Sequence, residues 1–179
     1  LPAELRPTFI TLCDPQIDRF RHGRVLMASR LITFYRVDRP WTEQYLLPLF
    51  DWTNPIEAKA AWEGFLWSPR LYQPLLTAFK SHFLDTANHY DDLGEHRQQF
   101  ATFLTYAALG PTEGYTVEEF QSAIGALPKE GLEESAQALY QAAAQSAQGE
   151  APADAPKSSK KGDGKVVDGD FEVVDDGKK

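Results

Sequence analysis

Cysteine is almost absent from this chain, which has Cys13 alone among 179 residues. A single cysteine excludes an intramolecular disulfide and a zinc site built on several cysteines, and it is typical of an intracellular protein. Long apolar runs are missing as well, since no segment approaches the roughly 18 residues that a membrane span needs. The first residues show no charged segment followed by an apolar one, as a secretory signal would. We therefore expect a cytoplasmic protein with no membrane partner.

Positive charge is in short supply, because 18 Lys and Arg stand against 26 Asp and Glu and give a formal net charge of −8. Binding to phosphate groups requires clustered Lys and Arg, so the composition argues against nucleic acid as a partner. Four arginines nevertheless crowd one short segment, and these are Arg19, Arg21, Arg24 and Arg30. We interpret them as a solvated helix face rather than as a phosphate site.

Known catalytic sequence motifs are also missing. Cys13 has no histidine near it in sequence, and no serine lies in a Gly-x-Ser-x-Gly elbow. One cluster combines histidine and carboxylate at helical spacing, and its members are His82, Asp85, His89, Asp92 and His96. Such spacing can hold a metal ion, but His82 and His89 flank an apolar stripe, which favours the polar edge of an amphipathic helix. We predict no catalytic, cofactor-binding or metal-binding residue.

Aromatic residues are abundant in one part of the chain and nearly absent from the rest. All four Trp, all seven Tyr and ten of the eleven Phe lie at or before Tyr140. Beyond it Gly, Ala, Pro, Lys and Asp dominate and Phe171 is the one aromatic residue, which is too little apolar surface to offset the entropy of ordering. We predict a helical domain over residues 1–146 and a disordered acidic tail over residues 147–179.

The densest apolar pattern lies between Asn54 and Gly110 and predicts three consecutive helices. Asn54 is a suitable cap, Pro55 belongs in a first turn, and the Glu57 carboxylate is placed to reach back to the N–H of the cap. This helix should end near Trp67, because the residue after it precedes a proline.

The second helix of this region carries one apolar stripe for about five turns. The stripe consists of Tyr72, Leu75, Leu76, Phe79, Phe83, Ala87 and Tyr90. Leu93 and Gly94 should break this helix, and a third helix should then run from Glu95 to a left-handed cap at Gly110. Because the stripes of the two helices face each other across the turn, we predict one buried cluster. Its members are Phe79, Phe83, Phe100, Phe103 and Leu104.

Two further helices are predicted upstream. One covers residues 20–37, and its apolar face leaves Arg24 and Arg30 outside it. The other has Pro40 in its first turn and is kinked or ended early by Pro48.

The clearest local signature lies downstream of Gly110. Thr116 is the cap of a helix and Glu119 completes a capping box, while Tyr115 and Phe120 are placed to form a hydrophobic staple. A proline then ends this helix.

A last helix is expected over residues 132–146, with its larger apolar residues toward the core. These are Leu132, Ala136, Leu139, Tyr140 and Ala143. The count is about seven short helices, and no segment before the tail alternates polar and apolar residues as a strand does. The sequence therefore predicts an all-α fold, as an irregular bundle or an α-solenoid fragment. Core packing accounts for most of the tryptophans, with one or two exposed for a partner.

Three stretches carry a first resemblance to a known family, namely residues 21–32 (RHGRVLMASRLI), 41–52 (WTEQYLLPLFDW) and 57–109. They resemble the helical C-terminal region of large bacterial sirtuin-domain anti-phage defence proteins, over about residues 17–139. The resemblance rests on helical residues rather than on a catalytic motif. In that family the NAD-consuming chemistry belongs to a separate N-terminal domain, so the resemblance implies a scaffold or sensor role here.

A second resemblance lies at the other end of the chain. Residues 166–175 (VVDGDFEVVD) are similar to the extreme C-terminal tail of bacterial DnaK-type chaperones, and residues 133–144 are similar to the last lid helix that leads into it. No counterpart of the chaperone's ATPase or substrate-binding domain precedes them. The two resemblances together imply a chimeric chain, with a seam between Pro128 and Gln148.

The tail supplies the candidate partner-binding residues. They are Val166, Val167, Asp168, Asp170, Phe171, Val173 and Val174. In this segment acidic residues separate the apolar ones. It can add as a strand to the sheet edge of a partner, or place its one aromatic ring in a pocket of the partner. A solubilising tail with no partner is the alternative interpretation.

The combined pattern predicts a non-enzymatic helical module that binds a protein partner, in phage defence by the first resemblance. A chaperone-associated fragment that uses the DnaK-like tail is one alternative. Another is a small acidic neutralising protein, similar in role to an antitoxin or an inhibitor, that binds a basic partner and depends strongly on salt.

Overall fold

The computed structural model describes residues 1–110 and 112–149, and every regular element in these two ranges is helical. The α-helices are α1 Arg6–Cys13, α2 Arg21–Ala28, α3 Leu31–Val37, α4 Arg39–Tyr45, α5 Pro55–Leu66, α6 Gln73–Ala78, α7 Lys80–Asp85, α8 Arg97–Leu109, α9 Val117–Ala126 and α10 Lys129–Gly149. Three 3-10 segments connect some of them, at Asp18–Phe20, Leu47–Phe50 and Thr86–His96. The all-α prediction is confirmed for this part of the chain.

The described residues contain more helices than predicted, because two predicted helices are divided and α1 was not predicted. Residues 20–37 form α2 and α3, which are separated at Arg30 (φ −115°, ψ 21°). Residues 72–90 form α6, α7 and the start of the third 3-10 segment, with a similar distortion at Phe79 (φ −114°, ψ 25°). The predicted stripe is still buried throughout, because periods of roughly 3.0 and 3.6 residues place the same side chains inward over a short segment.

The start of α5 follows the predicted capping signal. The Asn54 side-chain oxygen accepts a hydrogen bond from the Glu57 amide at 3.5 Å, and Pro55 occupies the first helical position. The helix ends at Leu66, as the following Ser-Pro pair predicts. The expected return of the Glu57 carboxylate to the cap is wrong, since this carboxylate is 3 % exposed and binds arginines instead.

The capping box and the staple of α9 are both confirmed. The Thr116 hydroxyl oxygen accepts from the Glu119 amide at 3.2 Å, and the Glu119 carboxylate accepts from the Thr116 amide at 2.9 Å. The rings of Tyr115 and Phe120 stack with their centroids 4.9 Å apart. These contacts involve neighbours in sequence, which is why the sequence alone predicts them.

Two glycines were predicted to shape the ends of α8. Gly94 does break the preceding segment, with φ 58° and ψ −123°, a region that residues with a side chain rarely adopt. Gly110 is extended instead (φ −88°, ψ 163°), so its predicted left-handed conformation is wrong. The Thr112 hydroxyl donates to the Ala107 carbonyl at 2.6 Å and satisfies the helix end without a left-handed residue.

The predicted cluster forms the centre of the core. Phe79, Phe83, Phe100, Phe103 and Leu104 are each 0 % exposed. Trp62 of α5 lies against this cluster, with its ring stacked on Phe79 at 5.7 Å and edge-on to Phe100 at 5.9 Å. Phe83 packs edge-on against Phe103 at 5.5 Å. The core therefore joins α5, α8 and the segment between them.

Helices α2 and α5 pack unusually closely, and Gly64 makes this possible. A Cβ atom at position 64 would lie 2.3 Å from the carbonyl oxygen of Val25. No side chain larger than hydrogen fits there, so the two backbones approach as closely as the chain permits.

The orientation of α10 is the reverse of the prediction. The residues that face the fold are small, namely Gly131, Ser135 and Ala138. The larger apolar residues expected to be buried lie on the outside, with Leu132 42 %, Leu139 48 % and Tyr140 76 % exposed, and Ala136 and Ala143 are exposed as well. A Cβ atom at Gly131 would lie 3.1 Å from the Tyr90 ring, so α10 packs closely through its small side chains. The helix extends to Gly149, past the predicted end at residue 146.

Candidate functional site

The partner-binding residues predicted in the tail lie outside the described residues. They are Val166, Val167, Asp168, Asp170, Phe171, Val173 and Val174, and the predicted role of this segment stays a prediction.

The histidine and carboxylate cluster does not converge on one point. His89 Nδ1 lies 3.1 Å from Asp92 Oδ2, and the His89 ring stacks on Trp52 with the centroids 4.4 Å apart. Asp85 accepts a hydrogen bond from a nearby side-chain amide at 3.1 Å, and His96 lies by Trp67. Within residues 1–110 and 112–149, no three His, Cys, Asp or Glu side chains are grouped so that they could hold a metal ion.

Cys13 lies inside the fold and is 4 % exposed. Burial raises the pKa of its thiol to about 12, although the nearby Arg24 guanidinium opposes that rise. A thiol with this pKa stays protonated at neutral pH and is a poor nucleophile. The side chain contributes packing.

Arg24 contradicts the interpretation of the basic cluster as a solvated face, since its side chain is 1 % exposed. Its Nε and Nη2 atoms donate to the two carboxylate oxygens of Glu57 at 2.6 and 2.8 Å. Its Nη1 atom donates to the main-chain carbonyls of Leu12, Asp14 and Ile17 at 3.3, 2.9 and 3.1 Å. The face of α2 that was expected to meet water meets α5 and the loop before α2.

Glu57 receives a second guanidinium, because Arg21 Nε donates to Oε1 at 2.8 Å. Burial by itself would raise the pKa of Glu57, but the hydrogen bonds from Arg24 and Arg21 outweigh it and lower the pKa. These mutually satisfied groups hold the N-terminal loop to α5. Their role is structural, and they offer no position to a phosphate.

A cleft of about 800 Å³ opens between α2 and α3 on one side and the end of α5 on the other. Val25, Ile32 and Phe65 give it an apolar floor, and three exposed arginines lie along it. We call it the arginine cleft and define it by Arg30, Arg36, Trp67, Arg70 and His96.

Trp67 is the most distinctive residue of the arginine cleft. Its side chain is 78 % exposed, whereas Trp41, Trp52 and Trp62 are 2 %, 5 % and 0 % exposed. It follows directly on the last residue of α5, where the Ser68-Pro69 pair ends the helix. The prediction that one or two tryptophans are exposed is therefore confirmed, and Trp67 is the one.

The arginines of the cleft come from separate parts of the chain. Arg30 directly precedes α3 and Arg36 lies in its last turn, so their backbones are about 9 Å apart along its axis, and Arg70 lies in the connection between α5 and α6. The Arg36 guanidinium also lies 6.0 Å from the centre of the Tyr72 ring. Glu63 is the one carboxylate among the described lining residues, so the cleft is positive on a chain of negative net charge.

His96 also lines the arginine cleft. Its ring lies edge-on to Trp67, with the centroids 6.1 Å apart. Its Nδ1 atom is buried and has no hydrogen-bond partner among the described residues.

These groups can bind an anionic ligand that also has an apolar part. Guanidinium groups pair with carboxylates through two parallel hydrogen bonds, and an exposed indole beside an apolar floor accepts aliphatic or aromatic side chains. The volume falls within the roughly 300–1,000 Å³ of typical ligand sites.

Sequence reasoning did not find the arginine cleft. Arg30 and Arg70 are far apart along the chain, and no periodic pattern connects them. One signal was available, because Trp67 stands immediately before Ser68-Pro69, where the helix and its buried face end.

The comparisons with known proteins give no relative, since no family model matches and no similar curated protein or solved structure was found. The resemblances to sirtuin-domain defence proteins and to DnaK-type chaperones therefore stay expectations. Among the described residues, no helix is both long and apolar enough to cross a membrane.

Proposed function

We propose that this chain is a non-enzymatic helical protein-interaction module whose arginine cleft binds an acidic segment of a protein partner. The observation that carries the proposal is the 78 % exposed Trp67 in a cleft with three exposed arginines. Tryptophan and arginine are the residue types that dominate the energy of protein interfaces. An exposed indole adds little to the core, which leaves it accessible to a partner.

The spacing of the arginines favours a peptide over a single phosphate. A phosphate site draws several donors to one point, whereas the backbones of Arg30 and Arg36 are about 9 Å apart along α3. Carboxylates two residues apart on an extended segment are separated by about 7 Å. A segment with several acidic residues can therefore pair with more than one arginine at once.

The resemblance to sirtuin-domain defence proteins supports a scaffold or sensor role in phage defence for this module. In such a role the cleft holds a partner, and the chemistry belongs to another protein or domain. Hydrolysis of NAD or ATP by the purified chain, above a heat-inactivated control, would contradict the non-enzymatic part of this proposal.

Peptide titration with the purified full chain tests the binding proposal. A panel of fluorescent peptides that combine several Asp or Glu with one Phe, Trp or Leu is compared with a panel in which Lys replaces the acids. We expect micromolar dissociation constants, about −8 kcal/mol in binding free energy, for the acidic panel alone. Trp67→Ala and Arg30→Glu should each weaken binding by about tenfold or more.

Tyr140→Ala is the matched control, because Tyr140 is 76 % exposed and belongs to α10 rather than to the cleft. Its affinity should equal that of the unchanged chain. Equal binding by all three variants, or equal binding of the acidic and basic panels, would show that the arginine cleft is not the site. Displacement of the peptides by inorganic phosphate at low concentration would assign the cleft to a small anion instead.

A further inference from the structure

We propose that the arginine cleft is occupied by the C-terminal segment of the same chain, residues 166–175, which any partner must displace. This inference rests on the proposed function and names an occupant for the same cleft. Three observations lead to it: the charge of the cleft, the residue pattern of the segment, and the length of chain between α10 and the segment.

Charge complementarity is the first observation. Arg30, Arg36 and Arg70 line the cleft against one carboxylate, Glu63. Residues 166–175 (VVDGDFEVVD) contain four acidic residues and no Lys or Arg. Opposite charges on the two surfaces favour their association, and the attraction weakens as salt is added.

The alternation of side chains within the segment is the second observation. Asp168, Asp170 and Glu172 are two residues apart, so an extended backbone presents them along one edge. Phe171 and Val173 then lie along the opposite edge. The arginine cleft offers the same two features, because its arginines are exposed and its floor is apolar.

The length of the intervening chain is the third observation. Residues 150–165 separate the end of α10 from the segment, and a chain of that length spans up to about 55 Å. A folded body of about 145 residues has a diameter of roughly 38 Å, from a radius of gyration near 15 Å. A chain of this length can therefore reach most of the surface of its own molecule, where the effective concentration is of the order of 1 mM.

A regulatory consequence follows from this occupancy. If the segment binds its cleft with a dissociation constant of about 100 μM, an effective concentration of about 1 mM weakens the apparent affinity for a partner by about tenfold. Replacing the segment's acidic residues should remove this competition. The full chain with Asp168→Asn, Asp170→Asn and Phe171→Ala should then bind the acidic peptide panel about tenfold more tightly.

The decisive experiment measures the proximity of the segment to Trp67 in the full chain. Cys13 is changed to Ser and Lys179 to Cys, so that a nitroxide spin label is attached at the C-terminus alone. The indole N–H signal of Trp67 should lose most of its intensity in the NMR spectrum, while the Thr116 amide should keep its intensity. The reduced label is the reference for both signals.

Charge reversal provides the matched comparison. Arg30→Glu together with Arg70→Glu should restore the Trp67 signal, and Asp168→Lys with Asp170→Lys in that background should quench it again. Arg19→Glu is the control, since Arg19 is an exposed arginine outside the cleft.

Four outcomes are distinguishable. Quenching of Trp67 that follows the charge reversals supports the proposal. If quenching occurs only when the label and the observed indole are on different molecules, the segment binds the cleft of another copy and the proposal is wrong. An unquenched Trp67 in a chain whose cleft still binds acidic peptides would overturn this inference and leave the proposed function standing. An unquenched Trp67 with no peptide binding would overturn both.

Discussion

Replacement of Arg24 by Met is expected to destabilise the whole fold, although Arg24 is charged and was expected to be at the surface. The side chain is 1 % exposed and makes two hydrogen bonds to Glu57 and three to main-chain carbonyls. Methionine has a similar length and is apolar, so it fills much of the space without donating a hydrogen bond. The change therefore isolates the polar contribution of Arg24 from its packing.

The magnitude follows from the groups that lose a partner. Removing one member of a buried ion pair costs about 3–5 kcal/mol, because the other charge stays buried without compensation. The total stability of a domain is about 5–15 kcal/mol, so this loss is a large fraction of it. For a chain of this size the melting temperature should fall by roughly 6–20 °C.

The double variant Arg24→Met, Glu57→Leu refines the test. In an isolated buried pair, apolar replacement of both members recovers much of the lost stability. Arg24 also donates to the carbonyls of Leu12, Asp14 and Ile17, which lose this donor in the double variant, although those of Asp14 and Ile17 still accept from the amides of Ile17 and Phe20. The recovery should therefore be incomplete, by about 0.5–1.5 kcal/mol for each hydrogen bond that is lost.

Urea unfolding followed by circular dichroism measures these differences. Arg39→Met is the matched control, since Arg39 pairs with Glu43 at 2.8 Å on the surface and is 62 % exposed. Its effect should stay below about 1 kcal/mol. Equal unfolding midpoints for Arg24→Met and Arg39→Met would refute the assignment of Arg24 as a structural residue.

Acid provides an independent measurement on the same pair. The pKa of Glu57 is lowered from 4.5 in the folded state, so its stabilising contribution is present above pH 4.5 and is lost as the pH falls through the lower folded value. The difference in stability between the unchanged chain and Glu57→Gln should shrink over that acidic range. A difference that is constant down to the lowest pH would contradict an ionised Glu57.

Three further substitutions and one chemical modification test other parts of the fold. Phe79→Ala should cost about 3–5 kcal/mol in urea unfolding, since Phe79 is 0 % exposed at the centre of the core, and a wild-type midpoint would contradict that position. Gly64→Ala should cost at least about 1–3 kcal/mol because its methyl group meets the Val25 carbonyl. Gly125→Ala, where nothing lies within 4 Å, should instead stabilise α9 by about 0.5–1 kcal/mol. Cys13 should resist alkylation at mildly alkaline pH until urea unfolds the chain, because burial raises its pKa to about 12.

Helix starts were predictable because their signals involve residues that are close in sequence. Thr116 and Glu119 hydrogen-bond to each other across a single turn, and Asn54 caps α5 in the same way. Such contacts form in nearly any tertiary environment. The aromatic cluster around Phe79 and Phe103 was predictable for a related reason, since large apolar side chains at helical spacing have few other places to go.

The orientation of α10 was not predictable from the same rule. The rule places the largest apolar residues inside, which favoured Leu132, Leu139 and Tyr140. The structure buries Ser135 and Ala138, because a close approach to the rest of the fold admits small side chains alone. The neighbouring helices decide whether a helix buries its large apolar residues or packs closely through its small ones. The sequence of that helix alone does not identify those neighbours.

The arginine cleft escaped prediction because its parts meet through tertiary packing. Arg30 becomes a neighbour of Trp67 and Arg70 when α2 packs against α5, and that packing depends on Gly64. The burial of Arg24 escaped for the same reason, since its partner Glu57 is 33 residues away. The sequence around a basic residue in a basic cluster does not indicate whether its side chain is exposed or buried.

The contacts of Arg24 also set which positions near the N-terminus are free to vary. The guanidinium binds the backbone oxygens of Leu12, Asp14 and Ile17, and every amino acid supplies a backbone oxygen. The exposed side chains of this loop, such as that of Gln16, can therefore change with little effect on the fold. Lysine is a poor substitute for Arg24, because its single ammonium group cannot reach the Glu57 carboxylate and the three carbonyls that the three guanidinium nitrogens contact. In related sequences the loop should diverge freely while a single arginine beyond it stays constant.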